Sequence, residues 1–274
     1  MLALDGDLQL WPETLAAPPT RRITIVDYPD PFDPGPEGPG PNVIDDLAGE
    51  ITGTIIFSDC CEPIAGNIRV ATSPGEVVTI GVGYSPSISP SGDRLASAND
   101  FQITVSSIDT GDGVVRFLDD QDPYLNVADL IWSSNGSATG EDDHLVLLGW
   151  TQDAGWSLYA VDGITLDPVK AFELGVAPVD EAPDVNVRFA GIGPDAEIVV
   201  AESNARTTRL RYFSPTTLAE LPGLERSLPA SATSIRVAQE DLLWVDDGGV
   251  LYFLRGGTLE PTRLGSGVLA AWSP

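Results

Sequence analysis

The chain has 274 residues, with 41 acidic against 14 basic side chains and a formal charge of −27 at pH 7. Such a surface repels phosphate backbones and anionic headgroups, so neither nucleic acid nor an acidic membrane is an expected partner. No apolar run reaches the 18 residues of a spanning helix, and no basic region followed by an apolar stretch marks a signal peptide at Met1.

Two compartments fit that N-terminus: the cytoplasm, or an extracytoplasmic site reached through an export or membrane segment already removed. The negative charge fits a soluble chain, or one that attracts cations or a basic partner. A domain of this length removes roughly 75% of its unfolded surface from water, so core size is not limiting. Gly and Pro punctuate short apolar runs, and no long stretch carries the 3.6-residue period of an amphipathic helix. The pattern is all-β.

Taken in chain order, short alternating segments each run into a turn. They are Leu8-Gln9-Leu10-Trp11, Ile68-Arg69-Val70, Ile103-Thr104-Val105, Leu158-Tyr159-Ala160, Leu210-Arg211-Tyr212 and Leu251-Tyr252-Phe253. Each follows another apolar strand, in order Leu2 to Leu4, Ile55 to Phe57, Arg94 to Ala96, Leu145 to Leu148, Ile198 to Val200, and Leu242 to Trp244. Between such pairs lie tight turns, of which Asp246-Asp247-Gly248-Gly249 is the clearest, because Asp and Gly tolerate a positive φ. The spacing averages about 43 residues, in the range of four-stranded propeller blades. The Pro-rich insertion at Tyr28 to Pro41 cannot donate to a sheet ladder, so an exposed loop is expected there.

The repeats divide at residues 43–83, 84–125, 126–183, 184–230 and 231–266, with a sixth made of 267–274 joined to 1–28. Val268 to Pro274 matches the first strand of the complete unit at Tyr84 to Ser97, with Leu2 to Leu4 as its expected neighbour. The prediction is a single domain over 1–274, a six-bladed β-propeller of four-stranded antiparallel blades whose N- and C-terminal strands share one blade. Such closure removes two open sheet edges. Regular four-strand spacing argues against a two-sheet sandwich.

Pro86-Ser87-Ile88-Ser89-Pro90-Ser91-Gly92-Asp93-Arg94-Leu95-Ala96 resembles the WD40-like repeat of TolB-like propellers, with Ile88 in place of the usual Trp and Ser91 in place of the usual Asp. Weaker echoes stand at Ala271-Trp272-Ser273-Pro274, Ile131-Trp132-Ser133 and Gly193-Pro194-Asp195. Phe57-Ser58-Asp59-Cys60-Cys61-Glu62-Pro63 is similar to a hairpin of exported bacterial propellers. The resemblance implies a periplasmic or extracellular protein that binds other proteins. It carries over no catalytic residue, because the repeat motif sets turns and packs an aromatic between blades.

Cys60 and Cys61 are the only cysteines and are adjacent. Neighbouring Cα atoms stand about 3.8 Å apart, below the usual disulfide separation of about 4.4–6.8 Å. Physics favours reduced thiols; the resemblance to exported proteins favours a vicinal disulfide stiffening a binding loop that includes Glu62. His144 is the sole histidine, too few for a catalytic zinc site of several imidazoles, and a loop histidine is the expectation. Asp45-Asp46 and Asp119-Asp120-Gln121-Asp122 offer oxygen ligands for Ca²⁺ without EF-hand spacing, and no other cofactor is indicated. Ser107 to Gly111 matches only the start of a sialidase Asp box.

Trp132 and Trp272 occupy the motif's first-strand position and are expected in blade packing. Trp150 and Trp156 bracket a turn containing Asp153, where aromatics suit either cross-strand packing or a sugar or peptide site. Arg206, Arg209 and Arg211 are the one local concentration of positive charge. Arg209 and Arg211 share a strand face and either pair with Glu202, Glu220 or Glu225 or meet a partner. The leading expectation is a non-catalytic, monomeric binding module that engages a protein or peptide through loops around a central channel. The alternative is a glycosidase-like hydrolase or lyase using channel carboxylates.

Overall fold

The computed structural model describes residues 2–4, 8–11, 23–26, 43–51, 54–60, 67–73, 76–99, 102–117, 126–134, 143–162, 165–178, 181, 184–228, 231–258, 260–266 and 269–272. Within them every regular element is a β-strand. The Pro-rich insertion, Cys61, Glu62 and Asp119 to Asp122 lie outside the described residues.

Three strands open the chain: β1 (Leu2–Leu4), β2 (Leu8–Trp11) and β3 (Ile23–Val26). A first group holds β4 (Val43–Ile51), β5 (Thr54–Cys60), β6 (Asn67–Ser73) and β7 (Glu76–Val82). A second holds β8 (Tyr84–Ile88), β9 (Arg94–Asn99), β10 (Gln102–Ser107) and β11 (Gly113–Phe117). The third is β12 (Asn126–Ser134), β13 (Asp143–Thr151), β14 (Gly155–Val161) and β15 (Pro168–Glu173). The fourth is β16 (Asn186–Ile192), β17 (Ile198–Ser203), β18 (Thr208–Phe213) and β19 (Arg226–Leu228). The fifth is β20 (Ala232–Ala238), β21 (Asp241–Asp246), β22 (Val250–Leu254) and β23 (Thr262–Ser266), after which β24 (Leu269–Trp272) ends the chain. Each group pairs antiparallel in chain order, and the fourth and fifth join through a short parallel pairing of β16 with β20.

β24 completes a four-stranded sheet with the N-terminal strands, in the order β1-β2-β3-β24. Its neighbour is not Leu2–Leu4, as the repeat suggested, but Ile23–Val26, with Leu269 opposite Val26 and Trp272 opposite Ile23. The four residues of β3 are all β-branched and suit a position with two partners. The three-residue β1 takes the edge, where a short strand is the safer choice.

The first strands of the groups meet in a closed circle. β4 lies against β8, β8 against β12, β12 against β16, β16 against β20, β20 against β24, and β24 against β4. Of these, β4, β8, β12, β16 and β20 each carry a register shift against their second strand. A bulge bends a strand and re-aims its groups, here toward the next sheet. Ser85 donates its hydroxyl to the Ala128 carbonyl at 3.2 Å, and the Trp132 indole donates to the Ser87 carbonyl at 3.1 Å. Asp129, just past the bulge of β12, accepts the Phe189 N–H of β16 at 2.7 Å. Arg188 of β16 reaches the Thr233 carbonyl at 2.6 Å.

Second strands are buried on both faces, which explains their unbroken apolar runs. Leu145 and Leu147 of β13 pack toward β9, β10 and β12 with Trp132, whereas Val146 and Leu148 pack toward β16 and β17. Ile198 and Val200 of β17 face the third group, and Val199 and Ala201 face Ile235 and Leu242 of the fifth. Each fully buried aliphatic side chain contributes about 1.5–3 kcal/mol. These layers, rather than any one turn, hold the sheets in their circle.

Candidate functional site

The arginines marked in the sequence separate into different environments. Arg206 sits in the exposed turn between β17 and β18, whose shape comes from Asn204: its Oδ1 accepts the N–H groups of Arg206 and Thr207 at 2.9 and 3.0 Å. Arg209 and Arg211 share a face of β18, as their spacing requires. The Arg211 guanidinium is 7% exposed and grips Glu220 through two hydrogen bonds of 2.8 and 2.6 Å. It also bonds Glu202 and donates to the Leu174 carbonyl at 2.8 Å, tying the fourth group to the third. Arg209 is more exposed and pairs with Glu225 at 2.8 Å. The doubly bonded carboxylate pushes the Arg211 pKa up, and the same contact holds the Glu220 carboxyl below its usual range.

Trp150 and Trp156 face each other across the hairpin of β13 and β14. Trp156 is buried, and Trp150 packs half-buried on the core between the third and fourth groups. Asp153 lies in the exposed turn that joins them. Asp153 and Arg206 therefore both occupy connections between the second and third strands of their groups.

Trp132 is buried in the same layered core, and His144 lies inside β13 opposite Ser133 rather than in a loop. Cys60 ends β5 opposite Val43. Asp46 of β4 pairs with Ser58, and Asp45 falls at the register shift beside it. Ser107 to Gly111 forms the tight turn between β10 and β11, closed by the Gly111 N–H on the Ser107 carbonyl at 3.0 Å. Among the described residues, no three His, Cys, Asp or Glu side chains are grouped to hold a metal ion.

A concavity of about 480 Å³ opens at the other end of the fourth group. One wall is the turn between β16 and β17, which carries Asp195 and Glu197; the other is the segment after β18, with Ser214, Pro215, Leu221, Pro222 and Leu224. Antiparallel pairing brings the two together, because Ile198 at the start of β17 stands opposite Phe213 at the end of β18. Both walls are internally bonded: the Gly193 N–H reaches the Glu197 carbonyl at 2.8 Å, and the Leu218 N–H reaches the Ser214 carbonyl at 2.8 Å. Glu197 is only 5% exposed, and its Oε2 accepts the Asp195 N–H at 2.8 Å. A Cβ on Gly193 would fall 2.5 Å from that Oε2, so a larger residue there would force the carboxylate to shift. Sequence reasoning took Gly193-Pro194-Asp195 as a degraded repeat turn and passed over Glu197. The available signal was an acid set directly against the apolar run Ile198-Val199-Val200.

No protein-family model matches the sequence, and no curated protein matches it. Among solved structures, the chain is similar to a putative 6-phosphogluconolactonase from Bacteroides uniformis, at 11% identity and a TM-score of 0.50, covering 99% of this chain and 86% of that one. It is similar to acylaminoacyl peptidase from Pyrococcus horikoshii at 12% identity and a TM-score of 0.50, covering 82% of this chain and 46% of that one. The β-propeller domain of Swd1 from Myceliophthora thermophila matches at 13% identity and a TM-score of 0.47, covering 81% and 82% of the two chains. The circle of first strands and its four-stranded antiparallel sheets give this chain the architecture of a β-propeller.

Proposed function

We propose that residues 1–274 form one six-bladed, TolB-like propeller that acts as a monomeric, extracytoplasmic binding module for a protein or peptide. The observation that carries this reading is how the structure uses its polar groups. Interior ones such as Arg211, Asp129 and Ser87 bond one sheet to the next, while exposed turns such as those of Asp153 and Arg206 present side chains outward. A rigid ring that displays turns is a scaffold for recognition, and the charge of −27 favours a basic partner over nucleic acid or an acidic surface. The TolB-like repeat at Pro86 to Ala96 supports the extracytoplasmic placement, which the coding sequence upstream of Met1 tests directly: a signal peptide or membrane helix there supports it.

The binding test uses the immobilised full chain and three short synthetic peptides of matched length, basic, neutral and acidic. Saturable binding of the basic peptide that weakens as salt rises is the expected result. If no peptide binds and the chain cleaves chromogenic glycosides, the carboxylate-based hydrolase replaces the binding module.

A further inference from the structure

We propose that β7, the outer strand of the first group, is a docking edge for a short extended segment of a basic partner, which adds to the sheet as a fifth strand. This deepens the binding-module reading and rests on it. Among the described residues β7 has one strand neighbour, β6, so its other edge presents backbone N–H and C=O groups outward. Val78, Ile80 and Val82 stand on it at 51%, 44% and 47% exposure, an apolar, β-branched row that suits extended pairing. Such an edge is a template for another strand, and proteins ordinarily blunt it. The other outer strands are blunted: β11 carries Arg116, β15 opens with Pro168 and carries Lys170, β23 carries Arg263, and β1 and β19 have three residues each. β7 has seven residues, and its one charge, Glu76, stands at the first position. A register shift against the third strand marks β7, β15 and β23 alike, so a bulge does not distinguish β7.

Length and charge decide the occupant. Seven residues of edge fall short of the about 20–30 residues a side that join two folded proteins. A second copy also brings −27 against −27, a repulsion that opposes a dimer through this strand. An extended segment needs less surface: its backbone hydrogen bonds carry the affinity, and its alternate side chains meet the exposed row. Basic residues flanking that segment are drawn by the net charge.

The test is hydrogen exchange of the full chain, read over residues 76–82, with fluorescence anisotropy for affinity. The probe is a labelled peptide of alternating valine and threonine with arginine at both ends. Its controls are a glutamate-ended peptide and an arginine-ended one N-methylated throughout, which has no backbone donors. The amides of β7 that face away from β6 are expected to exchange rapidly in the free chain and to gain protection with the arginine-ended probe. The glutamate-ended peptide is expected to bind more weakly, and the methylated one not at all. Val78→Lys combined with Ile80→Lys is expected to weaken binding about tenfold or more, and Val169→Lys on β15 to leave it unchanged, with thermal melts to show that both variants fold. The methylated peptide tests the same contact with the chain unaltered. Equal binding of the methylated peptide overturns the proposal. So do outward amides already protected in the free chain, whether by another of its segments or, at rising concentration, by a second copy. Saturable binding with unchanged exchange over 76–82 removes this edge and keeps the module; no binding of this probe or of the peptide panel removes the module itself.

Discussion

Arg211 carries three duties at once: it neutralises Glu220 and Glu202, satisfies the Leu174 carbonyl, and lies 5.2 Å over the ring of Phe213. Removing one partner of a buried ionic cluster leaves the others uncompensated. Arg211→Met is therefore expected to cost about 3 kcal/mol, read from urea denaturation. Glu220 adds a pH signature. Its carboxyl is held below the usual range by the hydrogen bonds from Arg211. That contribution is complete above the unfolded value of about 4.3 and is lost as pH falls through the lower folded value. In Arg211→Met the acid limb of the stability profile should flatten in that window. The sequence offers Glu202, Glu220 and Glu225 as partners for these arginines. It does not reveal that Arg211 is the buried one, since the periodicity of β18 places Arg209 and Arg211 on one face and the packing of the third group against it selects between them.

At the level of strands and turns, the second strands were legible because burial on both faces leaves an unbroken apolar run such as Leu145 to Leu148. The bulges of the first strands were not, because a register shift is a relation between two strands and leaves no mark in either alone. Gly191 makes the point testable. Its φ is +136°, and a Cβ there would strike the Val237 carbonyl across the parallel pairing of β16 and β20. Gly175 also has a left-handed φ, +70°, but a Cβ there meets nothing within 4 Å. Gly191→Ala should cost about 2 kcal/mol or more and Gly175→Ala about 1 kcal/mol, compared by thermal melts.

For the whole molecule, closure depends on β3, whose pairing with β24 sets the C-terminal strand in its sheet. Deleting residues 1–26 should lower the melting temperature by about 10 °C or more. Deleting only residues 1–6, which removes the edge strand β1, should have a much smaller effect. Equal effects would show that β3 does not hold β24.

Alternation of period two, turn chemistry and an even repeat were enough to divide the chain into its groups of four strands, since each is a local property written in neighbouring residues. Which N-terminal strand lies beside β24, which arginine is buried, and that Glu197 lines a concavity with Leu224 depend on contacts between residues far apart in sequence. Those are settled only when the sheets pack, because burial and charge pairing are properties of the assembled layers.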